Sequence, residues 1–275
     1  MKRNERTINS LVIVVLTIGL LLSLTPFLWA LITSLSTLKA SVSWPPQIIP
    51  RPVMWQNYVE AWNKAPFGRF FINSFIQAFF VVIGQVITAS LAGYAFARLR
   101  FPGRDALLLV VIGVIMIPFE VTMIPLFIMV YKLHWLNTYY ALIVPLLATP
   151  FGTFLLRQFF LSIPREIEEA AIVDGCSRLG VLLRVILPLS KPALSTLTIF
   201  TFMGVWNSLL WPLLVVDEEA MRTVQVGLTY FKGQEFSNYP LLMAASIFTT
   251  IPVLLVFFMA QKQFVAGFNM SGIKG

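Results

Sequence analysis

The feature that most constrains this chain is the length of its charge-free apolar runs. No charged residue lies between Arg6 and Lys39, and the run from Leu11 to Thr33 is long enough to cross a bilayer, which takes about 20 residues as a helix. A cleaved leader would have a shorter apolar core, about 7 to 15 residues, so this run reads as a retained first helix. A second uncharged stretch, Phe70 to Ala97, is bounded by Arg69 and Arg98. Further spans follow at Ala106 to Tyr131, Tyr139 to Leu156, Ala193 to Val216 and Leu241 to Ala260. The third is interrupted by Pro118 and Pro125 and carries Glu120 near its middle. The expected fold class is an all-α polytopic membrane protein with six transmembrane helices. Composition agrees: 58% of residues are hydrophobic and 12% charged, against roughly a quarter charged in soluble domains. That balance excludes a cytosolic enzyme, a secreted domain and a disordered tail, and 275 residues leave no room for a large extramembrane catalytic domain.

Six crossings put both termini on one side. Grouping residues 1 to 10, 97 to 106, 157 to 192 and 261 to 275 collects 13 of the 20 Lys and Arg residues, which places the termini in the cytoplasm. The net charge of +8 therefore meets lipid headgroups rather than nucleic acid. One cysteine, Cys176, and one histidine, His134, rule out a disulfide framework and a Cys/His zinc site. The loop from Ser34 to Arg69 then faces outward. Its Trp44, Trp55, Tyr58 and Trp62 among five prolines suit either a headgroup-level aromatic belt or a protein-docking surface. Along the second span, Ala89, Gly93 and Ala97 recur every four residues. They form either a helix-packing stripe or an incidental small-residue bias.

The polar stretch from Arg157 to Lys191 is too long for a simple connector, which takes about 2 to 8 residues. Ser162 and Pro164 are suited to opening a helix, and Glu166, Glu168 and Glu169 match the positive end of its dipole. Ile163, Ile167, Ala170 and Ala171 follow helical spacing. Gly175 ends this helix, and a second from about Ser177 to Leu187 is stopped by Pro188. Held between two spans, such a helix-turn-helix can be pushed as a rigid body. Its apolar face suits either a cleft in a cytosolic partner or the lipid surface.

Glu169-Ala170-Ala171, Gly175 and Val185-Ile186-Leu187-Pro188 resemble the E-A-A-x3-G-x9-I-x-L-P signature of binding-protein-dependent ABC importer permeases, with Val185 where isoleucine is favoured. Leu155-Leu156-Arg157-Gln158-Phe159-Phe160, Leu187-Pro188-Leu189-Ser190-Lys191-Pro192, Trp206-Asn207, Trp211-Pro212-Leu213-Leu214 and Gln263-Phe264-Val265-Ala266-Gly267 are similar to the maltose-type carbohydrate subfamily. The resemblance implies the type I ABC importer permease fold and a coupling helix at about Pro164 to Asp174 that sits in a groove of an ATPase subunit. Glu169, Ala170, Ala171, Asp174, Gly175, Leu187 and Pro188 are its coupling residues. It also implies a second permease subunit of similar fold, two ATP-binding-cassette subunits and an extracytoplasmic solute-binding protein. No cofactor is expected on this chain; ATP and Mg belong to the ATPase subunits, and no G-x-x-x-x-G-K-[ST] phosphate loop occurs here. The implied setting is a bacterial or archaeal cytoplasmic membrane. The implied organisation is a first helix and outer loop at 1–69, a permease core at 70–265 with its coupling loop at 157–191, and a cytoplasmic tail at 266–275.

Glu120 is the one carboxylate deep in an expected span, and a buried charge there is costly enough to raise a functional question. It lines a translocation path, or it is protonated or paired with a partner subunit. Trp206, Asn207 and Trp211 offer an amide and aromatic faces suited to a sugar, or they are packing and interface anchors. The expected function is ATP-driven import of a sugar or oligosaccharide, with a glycerol phosphate type solute as the alternative. A rival from another class is a secondary transporter with an ion site at Glu120, whose uptake would survive ATP depletion and collapse with the ion gradient. A membrane enzyme finds no paired acid and base in the spans.

Overall fold

The computed structural model describes residues 2–232 and 237–271, and side chains from 11–232 and 237–259. Among them all regular structure is helical, with one isolated bridge between Lys232 and Ser237. The principal elements are α1 (Lys2–Ser34), α2 (Gln56–Lys64), α3 (Phe67–Arg98), α4 (Arg104–Ile115), α5 (Phe119–Lys132), α6 (Tyr139–Ile143), α7 (Pro150–Ser162), α8 (Arg165–Val173), α9 (Arg178–Leu189), α10 (Lys191–Trp206), α11 (Leu210–Val215) and α12 (Tyr239–Ser271).

Two compact units form. The first joins Met1–Pro66 with Leu228–Ile251. In it α1 ends because Asn57 caps it from a distance: its Nδ2 donates to the carbonyls of Ser34 at 2.7 Å and Ser36 at 2.9 Å. These groups would otherwise be orphaned at the helix end. Trp62 stands edge-on to Phe248 at 5.4 Å between ring centres.

The second unit, Phe67–Gly227 with Pro252–Gly275, is built on α3. The small-residue stripe is a packing surface: Ala89, Gly93 and Ala97 are buried, and a Cβ on Gly93 would lie 3.1 Å from the Arg157 backbone nitrogen and 3.2 Å from Leu156 Cβ. Gly152 on α7 answers it, since a Cβ there would come within 3.2 Å of Ala89. Without a hydrophobic drive between helices in lipid, such close approach supplies the van der Waals contact.

Among the described residues, four segments are long and apolar enough to cross a bilayer: Leu11–Ser34, Phe67–Arg98, Tyr139–Ser162 and Tyr239–Met259. Counting each of two bent pairs as one span brings the number to six. The third span is not a single rod with a carboxylate at its centre: α4 and α5 meet at 100°. Pro118 disfavours helical backbone at Ile117 and itself becomes the extended residue that opens α5. The fifth span likewise stops at Trp206 rather than Val216, with a break at Asn207–Leu209 before α11.

The fourth span is irregular between Ile143 and Pro150, where a 3-10 turn at Val144–Leu146 separates α6 from α7. Backbone freed inside a membrane must find partners within the protein. Here α3 supplies most of them: Gln77 donates to Leu142 O at 3.0 Å, Gln85 to Leu146 O at 2.8 Å and Thr88 to Leu147 O at 2.8 Å. Trp211 Nε1 donates to Ala141 O at 3.0 Å.

Candidate functional site: the helix-turn-helix and the polar groups of the spans

α8 begins after Pro164, whose extended backbone turns the chain out of α7. Ser162 does not open it; its hydroxyl donates back to Phe159 O at 2.7 Å and closes α7 instead. The end of α8 is set by Gly175, at φ +87°. Gly175 N–H donates to Ile172 O and Cys176 N–H to Ala171 O, each at 3.0 Å, the paired bonds of a Schellman turn. Ser177 then caps α9 by accepting from Gly180 N–H at 3.2 Å. Pro188 does not stop α9, which runs on to Leu189 before an 81° bend into α10. The wider π turn at Leu182–Ile186 accommodates its ring, which in a regular helix would clash with the carbonyl four residues back.

The faces of α8 differ sharply. Ile167, Ala170 and Val173 are exposed, Val173 at 86%. Ala171 and Ile172 pack on an apolar cluster that includes Ala97, Leu156, Phe160, Leu182 and Ile186, where Val185 and Leu187 also rest. Glu169, Asp174 and Pro188 are exposed. Glu168 is buried, a placement that its reading as a dipole-matching acid missed. Its Oε2 lies 3.2 Å from Arg98 Nε, with only 6% and 3% of the two side chains exposed. Its Oε1 accepts from Tyr94 Oη at 2.7 Å and from Arg178 Nη1 at 3.0 Å. Arg98 Nη2 donates to Phe160 O at 2.8 Å and Ile163 O at 2.6 Å. The Arg98 Nε contact is charge pairing without hydrogen-bond alignment, since that nitrogen is buried with no hydrogen-bond partner. Removing one member of such a buried pair typically costs about 3–5 kcal/mol. Nothing in the sequence pairs Glu168 with Arg98 on a far earlier span, or singles out Arg178 beyond the glycine turn. A cavity of about 590 Å³ beside the cluster is lined by Arg98, Arg100, Arg165, Glu168, Glu169 and Arg178, among others.

The intramembrane residues do not form one group. Glu120 is exposed in the first turn of α5, directly after the bend, where the helix dipole favours a carboxylate. Trp206 is a packing residue at 1% exposure, set against Phe71, Phe75 and Phe202. Trp211, equally buried, lies beside Phe119 and lines a cavity of about 290 Å³ with Gln85, Thr149, Thr201 and Ser208. Asn207 is exposed at the end of α10, where its Oδ1 accepts from Gln225 Nε2 at 3.3 Å. Sequence reasoning overlooked Gln85 and Thr201, whose side chains bond at 2.7 Å. For Gln85 the available signal was the helical recurrence of Asn73, Gln77, Gln85 and Thr88 in a mostly apolar run.

Residues 85–268 match the family of binding-protein-dependent transport system inner membrane components. The chain belongs to this family. It is a membrane transport subunit whose ATPase is a separate chain. The arabinooligosaccharides transport system permease protein AraQ of Halalkalibacterium halodurans is 35% identical over 82% of this chain and 81% of its own length. The sn-glycerol-3-phosphate transport system permease protein UgpE of Yersinia enterocolitica is 34% identical over 97% of this chain and 98% of its own. A bacterial ABC transporter involved in the import of the acidic polysaccharide alginate contains a chain that superposes with a TM-score of 0.83 at 25% identity, over 95% of this chain and 98% of that one. The protein is thus an all-α permease of the type I ABC importer fold, and its family is an inner-membrane one.

Proposed function

We propose that this subunit carries a sugar or oligosaccharide across the cytoplasmic membrane by alternating access, and that α8 is the helix through which an ATPase drives it. One observation carries the second part: α8 is held by its own chain on the Glu168 and Ala171 side and turns Ile167, Ala170 and Val173 outward. An exposed apolar strip on a pinned helix is a surface for a partner groove. In this reading Glu169 and Ala170 touch the ATPase. Ala171, Asp174 and Gly175 shape the helix and its turn, and Leu187 and Pro188 seat α9 beneath it.

The substrate class rests on relatives named for arabinooligosaccharides and alginate. A glycerol phosphate solute is the second reading, favoured by the near full-length match to a glycerol-3-phosphate system. The 290 Å³ cavity beside Trp211, with Glu120 on the element bordering it and Asn207 nearby in sequence, is the proposed stretch of the path in this chain; Trp206 supports it from behind. The remaining parts are a second permease, two ATPase subunits holding ATP and Mg, and an extracytoplasmic binding protein. Both termini and the 157–191 loop face the cytoplasm, with residues 1–69 as first helix and outer loop, 70–265 as core and 266–275 as tail; residues 272–275 lie outside those described.

The test is Ala170→Lys in the assembled importer. The variant inserts normally, since Ala170 is exposed, but loses co-purification of the ATPase and solute uptake. Wild-type uptake in that variant refutes docking at α8. Uptake that ignores ATP depletion and follows an ion gradient refutes ATP-driven import altogether.

A further inference from the structure

The buried carboxylate of Glu168 stands outside the roles assigned above, and it joins four pieces of chain. Arg98 brings in the last turn of α3. Through Phe160 O and Ile163 O, the same guanidinium holds the end of α7 and the two-residue link to α8. Arg178 brings in α9 from beyond the Gly175 turn, so the second arm of the helix-turn-helix grips the carboxylate carried by the first. Tyr94, one turn before Arg98 on α3, donates a hydrogen bond to the same carboxylate, as Arg178 does.

The two junctions flanking α8 are closed locally, the first by the fixed φ of Pro164 and the Arg98 bond to Ile163 O, the second by the two backbone bonds of the Gly175 turn. Neither of them ties α8 itself to α3. Without the carboxylate, α8 would keep these junctions and its apolar contacts but lose its polar side-chain tie to α3. Arg178 is largely exposed, but the Tyr94 bond and the Arg98 charge are buried, and hydrogen bonds to a charge in such a site are stronger and more directional than exposed ones.

From this arrangement we propose that Glu168 is a positioning residue, pinning α8 to α3 so that displacement of α8 is delivered to the Phe67–Arg98 helix and not only to its chain neighbours α7 and α10. The destination matters because α3 holds the irregular backbone of the fourth span through Gln77, Gln85 and Thr88, and Gln85 borders the 290 Å³ cavity. A push on α8 thus reaches the cavity wall through one continuous helix. The consequence for transport rests on α8 being the ATPase contact; the pinning itself does not.

Two measurements separate those claims. In the first, the full chain in nanodiscs carries spin labels at Arg100→Cys and Val173→Cys, both exposed positions, in a Cys176→Ser background. Glu168→Gln broadens the distance distribution between α8 and the two-residue extension of α3 that carries position 100, with no ATPase present; an unchanged width overturns the pin. In the second, the complete importer is reconstituted with loaded binding protein, and ATP consumed per solute imported is measured. Glu168→Gln and Arg98→Met retain the ATPase subunit and its hydrolysis, while the ratio rises about tenfold or more. The double variant Glu168→Leu/Arg98→Met removes the unpaired charge and so guards against misfolding. It stays uncoupled if position is the role. Wild-type stoichiometry in either Glu168→Gln or the double variant overturns the proposal, whereas wild-type uptake with the ATPase retained in Ala170→Lys would instead refute docking at α8.

Discussion

Gly175 offers the cleanest separation of backbone strain from crowding. Its φ of +87° lies in the left-handed region, which costs a residue with a Cβ roughly 1–2 kcal/mol. Nothing lies within 4 Å of the position a Cβ would take, so crowding adds nothing. Gly175→Ala should therefore shift the opening equilibrium of the α8–α9 turn by about that amount, roughly a 5- to 30-fold change in ratio. Asparagine tolerates this conformation better, so Gly175→Asn should fall between wild type and alanine despite its greater bulk. Gly175→Pro should be the most severe: its φ is fixed near −65°, and it deletes the N–H that bonds Ile172 O at 3.0 Å. That variant should abolish transport while the chain still inserts. The assay is hydrogen exchange of peptides spanning residues 165–190 in nanodiscs, read with uptake. If alanine exchanges like wild type, or if asparagine opens the turn more than alanine, the conformational argument is wrong.

Three further outcomes follow from the spans. Gly93→Leu should prevent α3 and α7 from closing, because a Cβ already sits 3.1 Å from the Arg157 nitrogen and 3.3 Å from Thr153 O; a monodisperse, wild-type-stable protein in detergent would contradict this. Gln85→Leu leaves Leu146 O without its side-chain donor and Thr201 without its acceptor, and should cost about 1–3 kcal/mol, seen as a lowered melting temperature. Glu120→Gln should change solute affinity or uptake rate without altering ATP consumed per solute. Identical kinetics for every solute tried would remove it from the path.

Which parts were readable from the chain alone follows from the range of the forces involved. Span number, all-helical class and the glycine-ended helix at 165–173 depend on local composition and spacing, because lipid demands long apolar runs and a positive φ favours glycine. The E-A-A signature is likewise local and led to the right family. Three things were decided only by tertiary packing. Proline marks a break, but only the neighbours set the 100° turn after α4 and place Glu120 at a helix start. The Ala89, Gly93 and Ala97 stripe was ambiguous until α7 lay against it. Glu168 looked like one more acid in a first turn, because a charge is matched by whatever the fold brings near, and Arg98, Arg178 and Tyr94 meet it only when distant segments converge.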